Sequence, residues 1–460
     1  MIMTGNVYKT FMFIAFVVII LLLMHLLPPI RIGEVQLRNV DILSDLSIVS
    51  DSSNMQLTDN GIANNSIRNG LLHSPSNAKW QNGIEPIEDY STELQTSMIQ
   101  FYNKLDSIDT HKQVGHPVRI AIYGDSFIEG DILVAELRES LQAKYGGNGV
   151  GWTEIASELT QLRPSVGNSY ENIDEHFVMR KETYRTDLAG LSERYYTTHP
   201  GSWTTFTATS GMPHARLWNQ TSLFLKSSTP STLKVTTDNG EKIYTLQASD
   251  RVQVLNVRLS TPNVSFRILS GQPILYGACH DGLKGVCVDN FSMRGSSGVT
   301  LANLPPSTLA DFNRLRHYDL IILEYGANAI SENPKPDDIK WYMKNMNKVI
   351  RHFKQCFPNT TLMVMSTPDR GARVGNRIGT MKGIKELVVA QQKLARDNHV
   401  AFYNLYSAMG GEGSIGRLVK ENHASKDYIH MKRSGGAMLA STIMKSIEEG
   451  RRINNLNKHE

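Results

Sequence analysis

What most limits how this chain can fold is an α/β rhythm that starts, lapses for well over a hundred residues and then resumes. Val118-Arg119-Ile120-Ala121-Ile122-Tyr123 is a strand-like run that halts at Gly124-Asp125-Ser126, after which Val134, Leu137, Leu141 and Tyr145 recur at helical spacing up to Gly146-Gly147. Strand, tight turn and helix open an α/β unit. A helical pattern on Leu94, Met98, Phe101 and Leu105 precedes it. At Tyr318 the rhythm returns: Leu320-Ile321-Ile322-Leu323 reads as a buried strand ending at Tyr325-Gly326-Ala327-Asn328. A helix over 337–357, the strand Thr361 to Met365, a helix near 381–398 and the strand Val400 to Tyr403 follow. Leu439, Ile443 and Ile447 mark a C-terminal helix.

The interruption has a different character. Between Gly201 and Ser270, 21 of the 70 residues are Ser or Thr, and apolar residues alternate, as in Val264, Phe266 and Ile268. Leu233 and Val235 lead into Asp238-Asn239-Gly240, a strong hairpin turn, with Ile243 beyond it. This pattern predicts a β-sandwich module. One α/β domain, residues 89–150 and 290–453, is thus expected to be split by an inserted β module over 151–289, and no internal repeat is found.

Ahead of these lies a segment of another kind. Phe11 to Met24 is unbroken apolar sequence and continues past His25 through Leu26 and Leu27. At about 1.5 Å per residue it reaches roughly 25 Å, enough for a short membrane span. A cleaved signal peptide and a buried core helix are the competing readings. The length of the run, the lack of an A-x-A site and the stop at Pro28-Pro29 favour an uncleaved signal-anchor over 1–30. Residues 31–88, rich in Ser, Asn, Asp and Gly, read as a flexible stalk. The positive-inside rule is nearly silent here, because Lys9 precedes the span while Arg31 and Arg38 follow it. An anchor this close to the N-terminus most often leaves the chain behind it outside the cytoplasm, which is periplasmic in a Gram-negative cell.

Composition closes off other classes. With 20% charged and 40% apolar residues the chain is neither wholly disordered nor a polytopic membrane protein. A net charge of +4 over 460 residues is too slight for a nucleic-acid binder. Three cysteines exclude a disulfide-dense scaffold, and no C-x-x-C pair suggests zinc.

Functional groups in open α/β sheets gather beyond the carboxyl ends of strands. Ser126 follows the first strand, Asn328 a later one, and Asp427 with His430 stands just before the last helix. Each alone is an ordinary turn or cap sequence; their order along the chain gives them weight. A serine hydroxyl needs a neighbouring imidazole to take its proton. A carboxylate three residues before a histidine can hold Nδ1 and leave Nε2 for the serine. No G-x-S-x-G elbow occurs, which argues against the α/β-hydrolase version of such a triad.

Gly124-Asp125-Ser126, the Gly-rich Arg294-Gly295-Ser296-Ser297-Gly298, Gly326-Ala327-Asn328 and Asp427-Tyr428-Ile429-His430 together resemble the four blocks of the SGNH (GDSL) hydrolases, over about 117–146 and 290–450. The resemblance implies a flavodoxin-like three-layer α/β fold with a parallel sheet and serine esterase chemistry without a cofactor or metal. By it Ser126 is the nucleophile, His430 the general base and Asp427 its orienting acid. The oxyanion hole would be the Ser126 and Gly298 amides with the Asn328 side chain, and Gly295 is the alternative to Gly298. Phe127 stands where the family usually has Leu, and Ala329 where it usually has Asp.

From Ser126 to Gly298 is 172 residues, where a plain α/β repeat needs about thirty. That layout, with Gly146-Gly147-Asn148-Gly149-Val150-Gly151-Trp152 at the entry, resembles peptidoglycan O-acetylesterases, in which a carbohydrate-binding-like β module splits the catalytic domain. An esterase removing acetyl groups from an envelope glycan is therefore expected, with an O-acetyltransferase and a non-catalytic glycan-binding protein as rivals. Trp152, Asp369 and Arg370 are candidates for substrate contact, and Trp203, Trp218 and Tyr276 for sugar stacking or the module's core. Cys279 and Cys287, eight apart, are candidates for a disulfide in an oxidising compartment. His280 with Asp281 is a weak metal candidate, Cys356 reads as a buried thiol and His423 as a loop histidine.

Overall fold

The computed structural model describes residues 79–458 apart from 110–114, 210 and 375–376, with residues 16, 31–32 and 35–36 before them. Two units divide the chain, Met1–Ile67 and Arg68–Glu460; the described part of the first is the helical residue Phe16 and a two-stranded ladder of Arg31–Ile32 and Val35–Gln36. The expected membrane span over 11–27, Phe16 apart, and the stalk up to 78, that ladder apart, lie outside the described residues. Among the described residues no helix is long and apolar enough to cross a membrane.

In the second unit five strands run parallel, in the spatial order Val286–Ser292, Val118–Gly124, Leu320–Glu324, Thr361–Met365 and Ala401–Tyr403. Numbered along the chain this is 2-1-3-4-5, the flavodoxin-like order, whose direction reverses between the first and third strands. Both faces are covered, and alternation along each strand sorts its side chains between them. Ile120, Ile122, Ile322, Met363 and Tyr403 meet the helices Met98–Asp109, Val134–Tyr145 and Arg433–Asn457. Ala121, Tyr123, Ile321, Leu323, Val364 and Phe402 meet Pro306–Leu315, Pro336–Cys356 and Ile384–Asp397. The result is a three-layer α/β domain.

Local chemistry explains where elements begin. The helical pattern expected from Leu94 starts only at Met98, because the Asp89 carboxylate accepts the Met98 amide at 2.8 Å and caps the helix there. Leu94 is left exposed in a single 3₁₀ turn. The folded unit also reaches into the expected stalk: Ile87–Asp89 pairs antiparallel with Ala401–Tyr403 at the sheet edge, and the Gln81 amide donates to Glu449. A three-residue strand with one buried apolar side chain is too short to show a period.

The insertion forms two ladders. One joins Gly240–Leu246, Ser231–Thr237, Asn263–Ser270, Arg194–Ala208 and Val166–Phe177. The other joins Gly149–Thr153, Ile274–Asp281, Gln220–Ser227 and Ser249–Arg258. A single register pair, Leu275 with Tyr196, links them, and side chains of both, including Phe206, Leu233, Val264, Leu223, Val257 and Leu275, share one apolar cluster. Gly240 pairs with Thr237, so Asp238-Asn239 is the two-residue hairpin turn.

Buried ion pairs weld the module to the α/β sheet. Arg316 reaches Asp281 of the module at 2.5 Å and Asp289 of the sheet at 2.6 Å, and Asp289 also accepts the Trp152 amide at 2.8 Å. Beside them Trp152 is fully buried, stacked on Phe224 and packed against Phe291 and Phe312. Trp152 is therefore a core residue and not a substrate contact; Trp218 and Tyr276 are buried likewise. Cys279 and Cys287 are free thiols on strands of two different sheets, so the candidate disulfide is absent. His280 bonds Thr221 at 2.9 Å, and burial, reinforced by Arg163 and Arg316, lowers its pKa to about 3. It is a neutral core histidine and, with Asp281 engaged by Arg316, no metal ligand.

Candidate active site

The loop carrying Ser126 leaves the first strand under tight constraint. A Cβ at Gly124 would stand 2.8 Å from the Glu324 carboxylate and 2.9 Å from its carbonyl, so only glycine fits between the paired strand ends. Asp125 Oδ1 then accepts the Phe127 amide at 2.9 Å and closes a local turn with Ser126 at its apex. Beyond it the buried Asp131 takes Arg138 at 2.8 Å, Arg163 at 3.2 Å and Asn290 at 3.0 Å, which ties the loop to helix, module and sheet together.

His430 arrives from the other end of the chain. Its Nε2 lies 2.9 Å from Ser126 Oγ and its Nδ1 2.9 Å from Asp427 Oδ2. The other Asp427 oxygen accepts the Ile429 and His430 amides at 2.9 and 3.0 Å. Partial burial opposes the Asp427 charge, but the His430 ring and these amides outweigh it and hold the carboxyl below the ordinary aspartate range. Tyr428 bends the loop with φ +59°, a left-handed conformation costly for an aromatic residue. The Gly371 amide donates to the Tyr428 carbonyl at 2.8 Å and helps hold it there.

Ser126, Asp427 and His430 line an open pocket of about 720 Å³ together with Gly295, Asn328, Arg370, Arg294 and Glu129. Asn328 is exposed at the pocket, its Nδ2 donating to the Ser296 carbonyl at 3.2 Å and its side chain also hydrogen-bonded to Asp125. Gly298 is a correction. Its amide donates to Ser296 Oγ at 3.0 Å, and a Cβ there would stand 2.6 Å from the Tyr325 ring, so it packs behind the loop and does not line the pocket. Gly295, the alternative, faces it. Asp369 is a second correction: fully buried, it accepts the Ile415 amide at 3.0 Å and Ser414 Oγ at 3.2 Å at the start of the helix Ser414–Lys420. Its neighbour Arg370 does line the pocket, steadied by the Ala327 carbonyl at 2.6 Å.

Two features escaped the sequence reading. Arg294 on the rim is ion-paired with the buried Glu129. Behind Ser126, Glu324 and Asp125 are both fully buried, and neither Glu324 oxygen has a hydrogen-bond partner among the described residues. Burial, with Asp125 adding to it, pushes Glu324 far above the usual glutamate range. Burial likewise raises Asp125 to about 6, against the pull of the Phe127 amide, Asn328, His430 and Arg370. A charged residue closing the otherwise apolar strand Leu320–Glu324 was the available signal. One described group, His116, His317 and Asp319, brings metal-ligand atoms within 4.8 Å of one another. It lies at the opposite ends of the strands, and Asp319 is already paired with Lys104 at 2.5 Å.

Strand order 2-1-3-4-5 defines a flavodoxin-like three-layer α/β fold, with Ser126, Asn328 and His430 gathered at the switch point between its first and third strands. Among solved structures the chain is similar to a peptidoglycan O-acetylesterase, at 23% identity and a TM-score of 0.67 over 80% of this chain and 99% of that one. A carbohydrate esterase of family two from Cellvibrio japonicus (12% identity, TM-score 0.24, 63% of this chain and 98% of that one) and a Bacillus subtilis protein (10%, 0.29, 62% and 90%) match far more loosely in backbone path. No protein-family model and no curated protein matches the sequence.

Proposed function

We propose that this chain is a serine esterase that removes O-acetyl groups from an envelope glycan, probed first with peptidoglycan, the substrate named for its solved neighbour. The carrying observation is the unbroken hydrogen-bonded line Ser126–His430–Asp427 beside an exposed side-chain amide. In this reading Ser126 Oγ attacks the acetyl carbonyl while its proton passes to His430 Nε2, and Asp427 stabilises the imidazolium. The oxyanion takes hydrogen bonds from the Ser126 and Gly295 amides and from Asn328 Nδ2. As the C–O bond to the sugar breaks, His430 returns the proton to the departing hydroxyl. Water then attacks acetyl-Ser126, gives its proton to His430, and acetate leaves with the serine restored. No metal or organic cofactor takes part.

The His430 and Asp427 side chains are 42% and 46% exposed, which leaves the acyl-enzyme open to water and favours hydrolysis over transfer to a sugar hydroxyl. The apolar run over 11–27 supports an anchor holding the enzyme at a membrane, outside the cytoplasm, where such a glycan lies. The test is acetate release by the full chain from acetylated peptidoglycan and an aryl acetate, with and without unacetylated acceptor. Release that disappears in Ser126→Ala supports the esterase. Acetyl appearing on the acceptor in place of acetate would make it a transferase, and no turnover of either ester would sink both.

A further inference from the structure

Five charged or titratable side chains line the catalytic pocket: Glu129, Arg294, Arg370, Asp427 and His430. Four of them pair off. Arg294 is bound to the buried Glu129, and Asp427 commits one oxygen to the His430 ring and the other to the Ile429 and His430 amides. Arg370 is left over. Half-buried, it donates from Nη1 to the Ala327 carbonyl at 2.6 Å; its Nε is buried without a partner, and it forms no ion pair with any described residue. Its sequence neighbour Asp369 is engaged at the start of the helix Ser414–Lys420, and Asp125, behind Ser126, feels the guanidinium charge without an ion pair to it.

Arg370 also roots a basic hairpin. Its carbonyl accepts the Met381 amide at 2.7 Å, closing the ladder of Gly371–Val374 with Arg377–Thr380. The hairpin is seated on the catalytic loop, because the Gly371 amide donates to the Tyr428 carbonyl at 2.8 Å and a Cβ at Gly371 would stand 2.6 Å from that of Tyr428. From 370 to 385 the sequence holds five basic residues and no acid. Of these only Lys385 has an ion pair among the described residues, with Glu412 at 2.5 Å; Arg373, Arg377 and Lys382 are exposed. The cation inside the pocket thus continues into positive surface that the chain leaves unneutralised.

A guanidinium presents a planar fork of N–H donors that matches a carboxylate. Out of bulk water such a pair is stronger than one on the open surface. A sugar offering hydroxyls alone would leave this charge uncompensated.

We propose that Arg370 is an anion subsite of the esterase pocket, so that the substrate is a glycan whose acetylated sugar carries a carboxylate, with the basic hairpin receiving carboxylates further along the chain. The proposal deepens the esterase reading and rests on it. Arg370 selects the substrate by its charge, while Ser126 and His430 perform the chemistry.

Acetate release by the full chain is measured on an O-acetylated uronic acid oligosaccharide and on the same compound with its carboxyls methyl-esterified, for wild type, Arg370→Gln and Arg370→Lys. Methyl esterification removes the charge and keeps the acetyl group. Wild-type kcat/KM should favour the acid by about 30-fold, chiefly through KM. Arg370→Gln should abolish that preference, and Arg370→Lys, which keeps the charge but not the fork, should restore part of it. No preference in the wild type, or one unchanged by Arg370→Gln, would overturn the proposal while leaving the esterase standing. Equal losses on both compounds would overturn it too, because they mark a role in the fold or at the oxyanion. Calorimetric titration of Ser126→Ala with the unacetylated uronic acid oligosaccharide tests the subsite without turnover. Binding that the added Arg370→Gln weakens by about 30-fold would uphold it even if no ester were cleaved. Tighter binding of a sugar phosphate than of the uronic acid through Arg370 would overturn the carboxylate assignment.

Discussion

A serine hydroxyl is a weak nucleophile until an oriented imidazole takes its proton. Here that orientation depends on Asp427 holding both the His430 ring and its backbone amide. Asp427→Asn should therefore lower kcat by about 10⁴-fold with little change in KM, measured on an aryl acetate. Asn328→Ala should lower kcat by about 10²–10³-fold, with an unchanged melting temperature because the side chain is exposed. The acids behind the nucleophile make a different prediction. Asp125 and Glu324 have pKa values raised on folding, so the stability tied to them is present below pH 3.8, the ordinary Asp value, and for Asp125 is lost as pH rises through about 6. Glu324→Gln keeps the shape and removes the titration. Its melting temperature should exceed that of wild type at about pH 8 and match it near about pH 4; an equal difference at both would refute the account. Ser126, Asp427 and His430 were legible because each sits in a short local motif at a strand or helix end. Which glycine amide faces the pocket was not, because that depends on the path of the loop from Arg294 to Gly298. Nor could sequence distinguish a stacked core tryptophan from a sugar platform at Trp152.

At the level of elements, alternation along the strands decided most of the fold. Leu320 to Leu323 and Thr361 to Met365 read directly as strands, because runs buried on both faces are apolar throughout. The edge strand Ile87–Asp89 and the start of the helix at Met98 were hidden, one by brevity and the other by a cap from Asp89, nine residues away. The loop that follows the strand Val286–Ser292 is set by close packing. Gly298 has φ +81° and no room beside the Tyr325 ring, so Gly298→Ala should lower the melting temperature by several degrees. Gly295→Ala, with φ +77° and its nearest neighbour Met179 Cε at 3.6 Å, should cost markedly less. Thermal melts of the two variants side by side decide this.

On the scale of the whole molecule, the module and the sheet act as one body because their charges are shared across the junction. Arg316→Met would leave Asp281 and Asp289 buried without their cation and should destabilise the protein by about 3–5 kcal/mol in denaturant unfolding. Sequence pattern marked the insertion by its change of period, but the ions that bind it to the sheet lie 27 and 35 positions from Arg316 and carry no local signature. The proposed esterase reading turns on a single covalent event at the first strand's end. Rapid acid quench of the full chain with an aryl acetate, followed by peptide mapping, should recover acetyl on Ser126 in the wild type. None should appear in Ser126→Ala or His430→Ala. Acetyl recovered on another residue, or acetate released at the wild-type rate by Ser126→Ala, would contradict the account.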